Sequence, residues 1–416
     1  MKVPYKKLFS KPLYYCGIDL RNDSTVSLTF YVFVVEISLM ISLVSVSINL
    51  FTMESDDLND LIEACNDLNI LFFSILLYNS VIINYKSFSE LLNILEKELY
   101  EYKSQNFNKA AIDKEFKKKN KVVFYGLSMS IGISVIGKWI LPLLNVCIKL
   151  LFGNISSEML ALNFPFSYWY PYEMTIVTYI PTYICLSFPS VYLGMNVYTT
   201  CLLFCTGCVY ICYNLKLLSL AVMEIDRRSK HYMFNTQASS FNNRGLENNF
   251  SGQITEEKFY PCLAECIEHH HSILKCMKIL GNSLSPAVHC CNHSTVFHLS
   301  LIVFYLSTEG TNVNGTYIKF VTMLIGVAFL FWFCSYFGQQ VIDEAEKYHF
   351  ALYCAHWVDK TESFKRTLRV MMTFANRGLY LKAIGVYVIG LSSFCTVVQA
   401  AYSYFNLISS VKDKSN

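Results

Sequence analysis

Residues 284–307 read LSPAVHCCNHSTVFHLSLIVFYLS. The stretch is long enough for a membrane-spanning helix, which needs about 20 mostly apolar residues. It also holds His289, Asn292, His293 and His298, which a lipid-facing helix does not accommodate. Six other apolar runs are plainer: Leu28–Met53, Leu68–Tyr85, Val122–Phe152, Thr175–Val222, Tyr317–Gly338 and Tyr380–Ser409. Hydropathy alone therefore leaves six spans or seven. Charge decides between them, because Lys and Arg collect in short loops on the cytoplasmic side. Residues 1–27, 86–121, 216–283 and 339–382 hold five, nine, eight and seven Lys and Arg, whereas 54–67, 153–174 and 308–316 hold none. Strict alternation requires seven spans, an N-terminus inside and a C-terminus outside. Without a span at 284–307 the seven-charge loop would face outward. The segment is therefore read as the fifth span, with its polar face turned toward protein or water.

The composition agrees with a lipid-solvated chain. Of 416 residues, 53% are apolar and 16% charged, with 31 Phe and 29 Tyr. Soluble domains carry about 25% charged residues. A net charge of +3 gives no ground for nucleic-acid binding. No cleavable signal peptide is expected, since the first 27 residues are polar and basic and the first apolar run is too long for one. The 16 cysteines mostly lie in apolar runs and are read as reduced packing residues. The sequons at Asn154 and Asn314 fall in outer loops, and those at Asn22 and Asn249 fall inside. The inverted topology excludes a rhodopsin-like receptor, and the last span has no Asn-Pro-x-x-Tyr run. Asp226-Arg227-Arg228 is expected to be a solvated helix end.

The chain divides into a cytoplasmic N-terminus (1–27), spans 1–4 with an inner extension of span 4 (28–222), and a cytoplasmic loop with an anchor helix (223–283). Spans 5 and 6 (284–338), further anchor helices (339–379), span 7 (380–409) and an extracellular C-terminus (410–416) follow. Phe259, Leu263, Cys266, Ile267, His270, Leu274 and Met277 recur at helical spacing, as do Phe364, Leu368, Met371 and Met372. Their apolar faces need partners, the simplest being each other and then a neighbouring subunit.

No Gly-rich phosphate loop, paired-carboxylate site or nucleophile–base arrangement stands out, so no enzyme activity is expected. Cys262-x3-Cys266-x2-His269-His270-His271-x4-Cys276 has a ligand set that zinc accepts. It is read instead as thiols on a packed helix face beside a His cluster, and neither metal nor cofactor is expected. Glu36, Lys138 and Lys149 lie within spans, and charge there is a functional hint. Lys149 sits near an outer end and snorkels, Lys138 faces a cavity or water, and Glu36 pairs within the bundle. The outer halves are rich in aromatics, among them Phe72, Phe73, Trp139, Phe188, Tyr192, Tyr317 and Phe320. Some are interfacial belt residues, and a set converging inside the bundle makes an apolar pocket for a lipophilic small molecule. One face of the last span carries Ala400, Ser403, Tyr404, Leu407 and Val411. Spacing supports both a pore-lining helix with a hydrophobic constriction and a buried helix with small residues for close packing.

The C-terminal third carries Tyr353-x3-Trp357, Leu381-x-Ala383-Ile384-Gly385, Ser392-Ser393-Phe394 and Ser403-Tyr404-Phe405. With these, Cys266-x2-His269-His270 and the inverted seven-span plan, the chain resembles the insect odorant receptors, as an odorant-tuning subunit rather than the co-receptor. Related gustatory receptors end on Thr-Tyr-x5-Gln-Phe, a frame that Gln399 does not fit. The resemblance implies an all-α subunit of a tetrameric, odorant-gated, non-selective cation channel in the plasma membrane. It would assemble with co-receptor subunits, each subunit lining the pore with its last helix and joining a cytoplasmic helical anchor. Matching motifs place the gate at Leu407 and Val411, with Ser403, Tyr404 and Ser410 near it. They place the odorant among Phe72, Phe73, Gly132, Val135, Trp139, Phe188, Val191, Tyr192, Tyr317 and Phe320. A gustatory-type homotetramer answering a soluble tastant is the alternative.

Overall fold

The computed structural model describes residues 30–53, 58–96, 100–102, 109–152, 163–230, 259–309, 315–383 and 387–415, with 13–14, 18–19, 27–28, 156 and 160. The four sequons' asparagines, the Lys and Arg of residues 1–27, and residues 231–258 lie outside them.

The helices are α1 (Tyr31–Thr52), α2 (Leu58–Ile83), α3 (Tyr85–Glu96), α4 (Ala110–Val135), α5 (Leu141–Leu151), α6 (Ile176–Met223), α7 (Phe259–Glu309), α8 (Gly315–Cys354), α9 (Glu362–Asn376) and α10 (Leu391–Ser415). One π turn, Ile136–Ile140, joins α4 to α5. Two antiparallel ladders of two residues a side complete the fold: β1 (Ile18–Asp19) with β2 (Ser27–Leu28), and β3 (Lys382–Ala383) with β4 (Tyr387–Val388). Among the described residues six helices are long and apolar enough to cross a membrane: α1, α2, α4 through α5, α6, α7 over Pro286–Thr308, and α8. α1 shows why. Phe33, Ile37, Met40, Ile41 and Val44 form one exposed apolar face, which only hydrocarbon can satisfy. The chain is a multi-pass helical membrane protein.

α6 is the axis of the fold. Thr175 caps its start in a capping box with Thr178. Every residue from Leu202 to Leu215 is buried, so this part of the helix is surrounded by protein on all sides. It packs against α4, α7 and α8. α7 runs unbroken through the 283/284 boundary drawn from sequence. A single buried stripe continues across it: Leu263, Cys266, Ile273, Met277, Leu280, Leu284 and Ala287. α8 likewise continues past Gly338, with Val341, Ala345, Tyr348 and Leu352 buried at helical spacing. α9, capped by Thr361, turns Phe364, Leu368, Met371 and Ala375 into the same core, and Phe364 meets Phe259 with ring centroids 6.3 Å apart.

Two expectations change. The last span does not begin as a helix at Tyr380. Lys382–Ala383 and Tyr387–Val388 pair as the β3–β4 ladder, Ile389 N donates to Leu381 O at 2.9 Å, and the helix starts at Leu391. The cause is a close approach to α8: a Cβ on Gly338 would stand 2.5 Å from Ile389 O, and Leu391 N donates to Gln339 Oε1 at 3.3 Å. Nor is Asp226-Arg227-Arg228 a solvated helix end. Arg228 is 0% exposed. It donates to Glu265 Oε2 at 2.6 Å, Ala221 O at 3.1 Å and Cys266 Sγ at 3.3 Å, and lies 4.2 Å over the Tyr102 ring. Asp226 pairs with Lys360 at 2.6 Å. Arg227, which is exposed, behaves as expected. Glu265 lies 37 residues from Arg228, beyond the reach of periodicity.

His269 sits beside this arginine. Its Nδ1 is 2.7 Å from the Tyr102 hydroxyl and its Nε2 is 3.0 Å from Asn214 Oδ1, while Tyr100 stacks on the ring at 4.2 Å. Both nitrogens are engaged by protein partners, not arranged as ligands. Burial, then the neighbouring His270 and Arg228, push its pKa down to about 3.

Candidate ligand cavity and the last helix

Away from Arg228 and α9, the helices separate around a cavity of about 800 Å³. α2, α4, the π turn, α6, α7, α8 and the start of α10 all contribute to its wall. Close packing holds the wall in place on one side. Ser130 Oγ donates to Gly326 O at 2.9 Å, joining α4 to α8. On the π turn, a Cβ on Gly137 would meet Thr322 Oγ1 at 1.9 Å, so the backbone lies against α8. π turns re-aim side chains and often mark functional sites; this one points Lys138 and Trp139 to the cavity. Tyr183 fixes the turn by donating to Trp139 O at 2.7 Å.

Lys138 is paired. Its Nζ donates to Asp67 Oδ1 on α2 at 2.6 Å and lies 3.7 Å over the Phe166 ring. The other carboxylate oxygen accepts from Ser167 N and Ser167 Oγ, both at 2.9 Å. A second buried pair, Lys319 with Glu63, ties α8 to α2. α7 resolves the puzzle of its own sequence. Val288, Cys291, Asn292, Thr295 and His298 share one face, and that face lines the cavity.

Of the residues anticipated for ligand contact, Phe73, Gly132, Val135, Trp139 and Val191 line this cavity. Phe72 points away and is 48% exposed. Phe188 is also exposed and packs on Tyr192, which joins a cluster with Val35, Leu39 and Tyr78. Phe320 is fully buried and stacks on Tyr305 at 4.3 Å in a separate cluster; neither it nor Tyr317 reaches the cavity. Sequence reading missed Met323, Leu330, Asn292 and His298 as wall residues. Only the polar residues of 284–307 offered a signal for any of them.

α10, read from sequence as the seventh span, is not among the six helices apolar enough to cross a membrane, and its surface differs from theirs. It lies on α7 and α8 through Val397, Ala401 and Phe405. Its outward face carries Ser392, Thr396, Gln399, Ser403, Asn406 and Ser410, with Tyr404 and Leu407 among them, all exposed. Hydrocarbon does not satisfy such a face. The Val411 side chain lies outside the described residues. At its start α10 reaches the cavity through Ser393, beside Ile389.

The family described as 7tm Odorant receptor matches residues 60–402. The chain belongs to the insect odorant receptor family. It is 27% identical over 167 residues to Odorant receptor 33b of Drosophila melanogaster, covering 39% of this chain and 43% of that receptor. It is 22% identical over 177 residues to the Odorant receptor coreceptor of Anopheles gambiae, covering 42% and 36%. The matched stretch thus spans about two fifths of these curated relatives. The fold extends further. The olfactory receptor OR5 of Machilis hrabei, solved in complex with eugenol, superimposes with a TM-score of 0.74 over 98% of both chains at 15% identity. The family is one of receptors rather than an enzyme class.

Proposed function

We propose that this receptor is an odorant-tuning subunit that binds a small apolar molecule in the 800 Å³ cavity and gates a non-selective cation channel formed with co-receptor subunits. One observation carries the reading: α10 touches the cavity through Ser393 and bares a polar face on the opposite course of the helix. Four such faces around an axis make a water-filled path, and the apolar ring at Leu407 and Val411 closes it by dewetting. A ligand that packs better when α10 has moved outward shifts the balance to the open state; equal affinity for both states would shift nothing. The alternation of Lys and Arg supports a cytoplasmic N-terminus and a cavity in the outer half, in the plasma membrane. The cavity-lining members of the anticipated ligand set are Phe73, Gly132, Val135, Trp139 and Val191.

The test is an odorant panel on cells expressing this chain with and without a co-receptor. Odorant-evoked cation current that requires both chains is expected. Current from this chain alone would favour the homotetramer instead.

A further inference from the structure

The wall of the cavity is mostly apolar, and its polar groups are largely occupied. Lys138 is held by Asp67. The Ser130 hydroxyl donates to Gly326 O, that of Ser134 to Ser130 O, and that of Thr295 to Cys291 O. His298 is an exception. It lines the cavity and is 3% exposed, and neither ring nitrogen has a hydrogen-bond partner among the described residues. Two turns earlier on the same wall, Asn292 gives its amide to the Tyr387 hydroxyl and leaves Oδ1 without a partner. Burying polar groups unpaired costs free energy, and buried groups left so call for a ligand or water to complete them.

We propose that His298 selects for ligands bearing a hydroxyl. A neutral imidazole presents one donor and one acceptor. A hydroxyl also presents both, so it completes the ring where a hydrocarbon leaves it unsatisfied. Sites built to bind a hydroxyl reject the analogue lacking it because their own polar groups are stranded. The preferred ligand is an otherwise apolar alcohol, its chain against Phe73, Val135 and Trp139 and its oxygen toward α7. This rests on the cavity being the odorant site.

The experiment compares alcohols with hydrocarbons of equal size: hexanol, octanol and decanol against heptane, nonane and undecane. Currents are recorded from cells expressing the receptor with its co-receptor, and surface levels are measured. The wild-type channel should answer the alcohols with about tenfold or greater potency over their hydrocarbon partners, the factor that one hydrogen bond supplies. His298→Leu should reduce that ratio to near one, chiefly by weakening the alcohols. His298→Gln, which keeps a donor and an acceptor, should retain most of it. A merely structural role would move both members of each pair together and leave the ratio intact, and that outcome overturns the proposal. So does a wild-type receptor that answers no alcohol or shows no preference. A failure of the underlying reading shows differently. Gly132 has open space where a Cβ would stand, so Gly132→Phe fills the cavity; unchanged alcohol responses in that variant would place the odorant site elsewhere.

Discussion

Lys138 on the π turn and Asp67 on α2 meet at 2.6 Å between two candidate spans, 71 residues apart in sequence. With Ser167 bound to the same carboxylate, the pair fastens α2, the π turn and the segment before α6 at one point. Removing one member of a buried pair strands the other charge and costs about 3–5 kcal/mol. Asp67→Leu and Lys138→Met should each lower the thermal stability of the purified channel and its surface level. Asp67→Leu with Lys138→Met should recover much of the loss, because no charge is left unpaired. A double variant as unstable as the singles added together would show that the two residues act independently.

Trp139 and Phe320 separate ligand contact from packing. Trp139→Ala should shift the odorant dose–response by about tenfold or more, with surface level held, since a packed aromatic contact is worth about 1.5–3 kcal/mol. Phe320, stacked on Tyr305 away from the cavity, should act through the fold. Phe320→Ala should reduce surface level, with a cost of about 3–5 kcal/mol, and leave the sensitivity of the surviving channels unchanged. The reverse pattern would relocate the ligand to the Phe320 cluster.

On α10, Leu407 is 60% exposed among polar neighbours, and Val411 follows one turn later on the same face. Leu407→Ser with Val411→Ser should hydrate the constriction and raise basal current without odorant. In the proposed assembly co-receptor subunits would supply the remaining side chains of the ring, so a partial increase is expected. Unaltered basal current and ion selectivity at normal surface levels would mean that this face packs against a neighbour rather than lining the path.

Epitope tags at the two ends test the topology. In intact cells a C-terminal tag should stain and an N-terminal tag should not until the membrane is permeabilised. N-terminal staining of intact cells would reverse the orientation and put the cavity on the inner side.

The His269 site makes stability pH-dependent in a defined window. Its folded pKa of about 3 lies below the ordinary 6.5, so the unfolded chain binds the extra proton between those values. Stability from this group is complete above 6.5 and falls as the pH drops toward 3, by about 1.4 kcal/mol per pH unit. Thermal unfolding of the purified channel near neutral and near about pH 5 should show the loss, and His269→Gln should flatten it. An unchanged slope in that variant would assign the acid sensitivity to other groups.

What the sequence by itself determined is what depends on composition and order along the chain. Apolar runs and the alternation of Lys and Arg define a multi-pass helical protein, because hydrocarbon admits few charges and loops keep theirs. The 3.6-residue periods of α7 and α9 foretold their buried faces, and the Cys, His and aromatic patterns of the last third pointed to the odorant receptors. The polar residues of 284–307 announced a face turned from lipid, yet not what it faced. That was decided by tertiary structure, which brought Asn292 and His298 to a cavity walled by six other segments. The same holds for Arg228, buried by a carboxylate on another helix, for Lys138 with Asp67, and for Phe320, which shares the composition of a pocket residue but packs on Tyr305. Periodicity reports which side of a helix is hidden. What hides it depends on helices distant in sequence, whose crossing points are set by close contacts such as Gly338 against Ile389 that no local pattern encodes.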